Sequence, residues 1–186
     1  VTLDEGSLRR VIEILEALAI PYMVTGSLAS SHHGRPRTTE DADFVIEPTQ
    51  ASLERLVAAL TGAGFYADAD HARDAFRRRR QFNAIDTLSG FKVDFIVRKE
   101  HAFSLAEFAR RQRRDLVPGL PVSIATAEDT VVAKLDWARK AGESEKQLKD
   151  VAGIVDALKD LDRDYVARWS EELGVLDLWQ RVTSRS

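Results

Sequence analysis

Residues 41–46 read Asp-Ala-Asp-Phe-Val-Ile, two carboxylates one residue apart at the head of an apolar run. Residues i and i+2 of an extended strand point to the same face, so Asp41 and Asp43 project together, close enough to share a cation. Two neighbouring carboxylates repel unless something positive stands between them. Alone, such a pair reads either as a turn or solvated strand end or as a place where positive charge is held at the strand's head. Ligation by carboxylate oxygen alone favours Mg²⁺ or Mn²⁺ over zinc. The chain has no cysteine, which excludes disulfides, thiolate nucleophiles and cysteine-based zinc sites.

Two other features fit the same chemistry. Gly26-Ser27 precedes Asp41 by thirteen residues and follows the short apolar run Tyr22–Thr25, which reads as a strand. A short helix, Leu28 to His33, is expected next. Glycine at a strand-to-helix junction lets backbone approach a phosphate closely, and the N–H groups of a helix start suit an anion. The third feature is Asp94, within Phe-Lys-Val-Asp-Phe-Ile-Val at 91–97. A carboxylate inside such an apolar strand is costly unless it is paired or binds metal. If that strand lies beside the one carrying Asp41 and Asp43, three carboxylates converge, as a two-metal phosphoryl transfer requires.

The remaining pattern supplies the frame. Leu8, Val11, Ile12, Leu15 and Leu18 recur at helical spacing, and Pro21 closes that helix. Leu53, Leu56, Val57 and Leu60 mark a second amphipathic helix. Phe65-Tyr66 starts a short strand, residues 70–79 are polar and give no clear signal, and 81–87 with 91–97 form a hairpin turning at Leu88-Ser89-Gly90. Capping-box patterns at Ser104/Glu107, Thr126/Asp129 and Ser144/Gln147 predict three helix starts. A loop and a short strand are expected between the first two, and final helices over 163–173 and 175–183. The order predicts an α/β (α+β) fold: a small mixed sheet with flanking helices in a core over 1–103, then a mainly helical part over 104–186 packed on it.

Composition is that of an ordinary globular domain, and a net charge of −3 gives no overall sign of nucleic-acid binding. Arg77–Arg80 and Arg110, Arg111, Arg113 and Arg114 are local basic clusters, readable as solvated helix faces or as guides for an RNA acceptor. No signal peptide and no membrane-spanning run is evident, so a cytoplasmic protein without a membrane partner is expected. His32 and His33 are adjacent and do not share a helix face, so they read as helix or surface residues. No Gly-x-Ser-x-Gly surrounds Ser27, which argues against a hydrolase nucleophile there.

Gly-Ser, a gap, Asp-x-Asp and a later lone Asp in a strand together resemble the DNA polymerase β-like nucleotidyltransferase superfamily. The stretches GSLASSHHGRPRTTEDADFVI, KVDFIV and KLDWARK…KQLKDVAGIV are similar to its AbiEii/AbiGii toxin-type branch. The resemblance covers residues 24–97 and, more weakly, 134–155. It implies transfer of a nucleoside monophosphate from an NTP to an acceptor, with Mg²⁺ or Mn²⁺. Gly26 and Ser27 would bind the triphosphate, and Asp41, Asp43 and Asp94 would hold metal and carry catalysis. Asp94 would also help activate the acceptor hydroxyl. Lys134 falls at a phosphate-contacting lysine, and Lys149-Asp150 at the branch's basic-acidic pair. Arg37, in the loop before Asp41, is a further candidate for the triphosphate. The acceptor implied is RNA (tRNA) or protein, with a cognate antitoxin as possible partner. A non-catalytic member that binds nucleotide or a partner is the alternative.

Overall fold

The computed structural model describes residues 4–36, 39 and 41–184, and among these it has nine helices and seven strands. Helix α1 (Glu5–Ala17) is capped by Asp4, whose carboxylate accepts from Ser7 N, and buries Leu8, Val11, Ile12 and Leu15. Strand β1 (Tyr22–Thr25) leads straight into α2 (Gly26–His33). Strand β2 (Asp41–Ile46) is followed by α3 (Gln50–Gly62), β3 (Phe65–Ala67) and α4 (Ala69–Arg78). Strands β4 (Gln81–Asp86) and β5 (Lys92–Val97) form the expected hairpin. Next come α5 (Ala102–Arg110), the strands β6 (Gln112–Val117) and β7 (Leu120–Ile124), and the helices α6 (Ala127–Lys140), α7 (Glu145–Ala157), α8 (Arg163–Glu172) and α9 (Leu176–Thr183).

The seven strands form one mixed sheet in the order β3-β4-β5-β2-β1-β7-β6. Strand β2 runs antiparallel to β1 and parallel to β5, so the strands that carry the candidate carboxylates lie side by side at its centre. Alternation divides the two faces. Phe44 lies opposite Phe95, which lies opposite Phe82, and the three rings stack with centroids 6.0 and 5.1 Å apart. That face joins the apolar side chains of α1, α3 and α4 in the main core. The neighbouring positions, Asp43 and Asp94, face the other way. A second apolar cluster is built by α6 to α9 with Phe103. Helix α2 packs against both α6 and α7 and so ties the sheet to this helical part.

Several local expectations change. Helix α2 begins at Gly26 rather than Leu28. The polar stretch at 70–79 is part of α4, which buries little beyond Ala72 and Ala75 and is laced by Asp70–Arg73 and Asp74–Arg78 pairs. Ser104 does not start α5: His101 is the N-cap, and its ring accepts from Ser104 N. Thr126 does cap α6, accepting from Asp129 N at 3.2 Å, but Ser144 makes no side-chain cap on α7. Residues 112–124 form the hairpin β6–β7 rather than a loop and one strand, and β7 joins the sheet beside β1. No described helix is long and apolar enough to cross a membrane.

Candidate active site

The site forms where β1 ends and β2 and β5 begin, against α2 and α6. Register places Thr25 opposite Asp43, and Asp43 opposite Asp94. Asp41, two residues before Asp43, lies on the same face and opposite Lys92. Thr25, Asp41, Asp43 and Asp94 line a cleft of about 640 Å³, together with Gly26, Ser27 and Lys134. Sequence reasoning therefore named six residues that the fold brings to one cavity. The seventh, Arg37, lies outside the described residues.

Gly26 is required by both conformation and space. Its φ is +63°, a region that favours glycine, and an added Cβ would stand 1.9 Å from Asp43 Oδ2. The backbone at the start of α2 thus lies directly against the Asp43 carboxylate. Thr25 precedes the helix without capping it by its side chain, and the first turn holds no acidic residue, so the acid that meets the positive end of the helix dipole is Asp43, brought there by β2. Ser30, one turn on, donates to Ser27 O at 3.1 Å and to Asp150 Oδ2 at 3.4 Å.

The carboxylates differ in their surroundings. Asp41 is held by Thr39, whose hydroxyl donates to Oδ1 at 2.8 Å. Asp94 is buried and pairs through Oδ2 with Lys92 Nζ at 2.7 Å. Lys92 is correspondingly raised, first by that hydrogen bond. Burial pushes Asp43 up to about 6, and the nearby charges of Asp41 and then Asp94 push in the same direction, against Lys134 and Lys92. Asp43 is thus the carboxylate most in need of positive charge.

Among the described residues, no three His, Cys, Asp or Glu side chains already form a metal-holding group. Lys92 occupies one oxygen of Asp94. The donor set nevertheless fits a hard divalent cation: it is all oxygen, it is self-repelling, and Asp43 lies against a glycine backbone at a helix start.

Lys134, expected at a phosphate-contacting position, is buried, and its Nζ pairs with Asp150 Oδ2 at 2.7 Å. Burial comes from α7 packing across α6, which helical periodicity within α6 alone does not reveal. Lys134 and Asp150 therefore form one unit facing Asp43. Lys92 was missed as a participant, although its place two residues before Asp94 put it on the same strand face. Glu107 was read only as part of a capping pattern. It is buried at the cleft, and burial, then Asp129 and Asp136, raise it to about 8. The arginine clusters are mostly engaged: Arg78 with Asp74, Arg79 with Glu100, Arg110 with Asp129 and Arg113 with Glu16. His33 is fixed by a contact of its Nε2 with Ala125 O at 2.7 Å, consistent with a structural role.

No family model matches the sequence, and no curated protein matches it. Solved structures do match its fold. The solution structure of the antibiotic-resistance factor ANT(2'')-Ia aligns with a TM-score of 0.59 at 12% identity, over 95% of this chain and 96% of that one. The crystal structure of ANT(2'')-Ia in complex with adenylyl-2''-tobramycin gives 0.58 at 14% identity, over 99% of both chains. An antigenic nucleotidyltransferase-like protein from Paracoccidioides brasiliensis gives 0.57 at 14% identity, over 98% of this chain and 94% of that one. The chain has a nucleotidyltransferase-like fold.

Proposed function

We propose that this protein is a metal-dependent nucleotidyltransferase that moves a nucleoside monophosphate from an NTP to an acceptor and releases pyrophosphate. The observation that carries the reading is the register of β2 with β5, which sets Asp43 beside Asp94, with Asp41 on the same face and Gly26 pressed against Asp43. A helix start, three carboxylates and a buried lysine around one cleft are the parts needed to hold a triphosphate. That the same fold accommodates adenylyl-2''-tobramycin in ANT(2'')-Ia supports the reading.

In this reading the α2 backbone at Gly26 and Ser27 holds phosphate oxygens, and Arg37, outside the described residues, stays a sequence-based candidate for the triphosphate. Lys134, positioned by Asp150, places its ammonium on the triphosphate. Asp41, Asp43 and Asp94 hold Mg²⁺ or Mn²⁺, which when bound supplies charge neutralisation at the phosphates. Asp94 receives the proton of the acceptor hydroxyl once Lys92 yields its oxygen. The acceptor oxygen then forms its bond to the α-phosphorus as the bond to pyrophosphate breaks. Arg79, Arg80, Arg98 and Lys99 line the same cleft; Arg79 and Arg98 are paired with Glu100 and Glu47, so an acceptor that brings phosphate, such as an RNA end, would meet Arg80 and Lys99 first and compete with those carboxylates for the other two. The AbiEii/AbiGii-like motifs extend the reading to a toxin with a cognate antitoxin.

The test is a transfer assay with each α-labelled NTP, Mg²⁺ or Mn²⁺, and total cell RNA and protein, comparing wild type with Asp43→Asn. Label that reaches RNA or protein with wild type alone supports the reading and names base and acceptor. Equal labelling by Asp43→Asn contradicts the assigned role of Asp43. Metal-dependent NTP binding without transfer to any acceptor points instead to a nucleotide-binding protein.

A further inference from the structure

Helices α6 and α7 run back along each other, joined by residues 141–144 and fastened by the Lys134–Asp150 pair. Three residues further toward the turn on each helix stand Trp137 and Gln147. At 1.5 Å rise per residue both lie about 4.5 Å along from the ion pair, so they occupy the same rung. Both line the cleft that holds Asp43 and Lys134.

Each of the two is unusual in its setting. Trp137 is 55% exposed, and of the exposed large apolar residues among the described residues it alone lines the cleft, since Tyr66, Ile85, Leu88 and Leu105 lie elsewhere. Gln147 Oε1 is buried, yet it has no hydrogen-bond partner among the described residues. A buried acceptor left unsatisfied costs about 1–3 kcal/mol, and Gln147 lines the cleft with Trp137, so a turn of its amide into the cleft would let one ligand satisfy the oxygen and cover the indole. That ligand needs a flat π surface for the indole and an N–H on its edge for the amide oxygen. It must also leave phosphate within reach of the next rung. A nucleobase has the first two properties, and its triphosphate provides the third.

We infer that Trp137 and Gln147 form the nucleobase seat of the cleft, Trp137 by stacking and Gln147 by accepting a hydrogen bond from the base edge, with purines favoured by their larger stacking surface. The inference rests on the proposed nucleotidyltransferase reading and deepens it. Lys134 and Trp137, three residues apart on one helix face, divide the nucleotide between them: phosphate on the ammonium, base on the indole.

The experiment is calorimetric titration of the whole chain with ATP, UTP and inorganic tripolyphosphate, each with Mg²⁺, for wild type, Trp137→Ala, Trp137→Phe and Gln147→Met. In wild type, ATP should bind more tightly than UTP and than tripolyphosphate. Trp137→Ala should weaken ATP roughly tenfold or more and leave tripolyphosphate unchanged, while Trp137→Phe should stay within about threefold of wild type for ATP. Gln147→Met should weaken ATP and not tripolyphosphate. Trp137 is exposed, so its replacement should not unfold the chain, and thermal melts check this. Undiminished ATP binding by Trp137→Ala overturns the inference, and so does wild type that binds tripolyphosphate as tightly as ATP. Both results leave the nucleotidyltransferase reading standing. Wild type that binds neither ligand overturns that reading and the seat with it.

Discussion

The Asp43 carboxylate fills the space where a side chain on Gly26 would begin: a Cβ there would lie 1.9 Å from Oδ2 and 2.7 Å from Cγ. Strand β2 and the head of α2 thus fit together only while residue 26 has no side chain. Gly26→Ala should abolish transfer and destabilise the fold by about 1–3 kcal/mol, from the clash and from the positive φ. Removing the obstructing carboxylate should recover part of this. Urea denaturation of Gly26→Ala, Asp43→Ala and the double variant tests the point: strict additivity would show that the two residues do not compete for space.

Lys134 and Asp150 are both nearly inaccessible to solvent, with side-chain exposures of 6% and 9%. Breaking one side of a buried pair is expensive because the other charge stays behind, whereas replacing both by apolar groups is often nearly neutral. Lys134→Met should therefore cost about 3–5 kcal/mol, and Lys134→Met with Asp150→Leu much less. The double variant should still lack triphosphate affinity, because the ammonium is gone. Equilibrium unfolding alongside nucleotide titration separates the two roles, and a double variant that binds tripolyphosphate like wild type would remove Lys134 from the phosphate site.

Glu107 gives a stability slope with pH. Its folded value is raised from 4.5 to about 8, chiefly by burial, so the folded chain keeps a proton that the unfolded chain releases. The stability from this group is fully present below pH 4.5, erodes as pH rises, and is gone above about 8. The change should be on the order of 5 kcal/mol across that window. Glu107→Gln should flatten the slope while keeping the shape of the side chain. Urea midpoints at intervals from pH 5 to 8.5 measure it, and equal slopes in the two proteins would show that Glu107 ionises normally in the fold.

Lys92 gives a prediction of opposite sign to the usual loss on mutation. It is half-exposed and paired to Asp94, so Lys92→Met should free an oxygen of Asp94 and strengthen Mn²⁺ binding severalfold. Titration of Mn²⁺ by electron paramagnetic resonance, without nucleotide, reads this directly. Weaker Mn²⁺ binding in the variant would mean that Lys92 supports the carboxylates rather than competing for them.

Much of this arrangement was legible because it is written in short-range patterns. The alternation of 42–46 and 91–97 set the strands and the faces of Asp43 and Asp94, and Gly26-Ser27 marked the junction. What stayed hidden depends on contacts between distant segments. Helix α4 has too few apolar residues to show a period, since its sheet-facing side needs only the small Ala72 and Ala75 to fit under the neighbouring core. The β6–β7 hairpin lies at the sheet edge with a polar outer strand, so its strand character comes from pairing rather than from burial. His101 displaced Ser104 as a cap because an imidazole nitrogen accepts a backbone N–H as a hydroxyl does. The rung of Trp137 and Gln147 emerges only when α7 folds back on α6.

The parallel pairing of β2 with β5 has a temporal consequence. Asp43 and Asp94 are neighbours in the sheet but are separated in the chain by a helix, a strand, another helix and another strand. Gly26 and Lys134 stretch the span further. No early fragment emerging during synthesis contains the assembled cleft, and contacts of such long range form late in folding. A ligand that needed all these residues at once would therefore recognise only chains folded through α6 and would stabilise them by mass action, so in the proposed reading nucleotide binding would report that the sheet and α6 have come together.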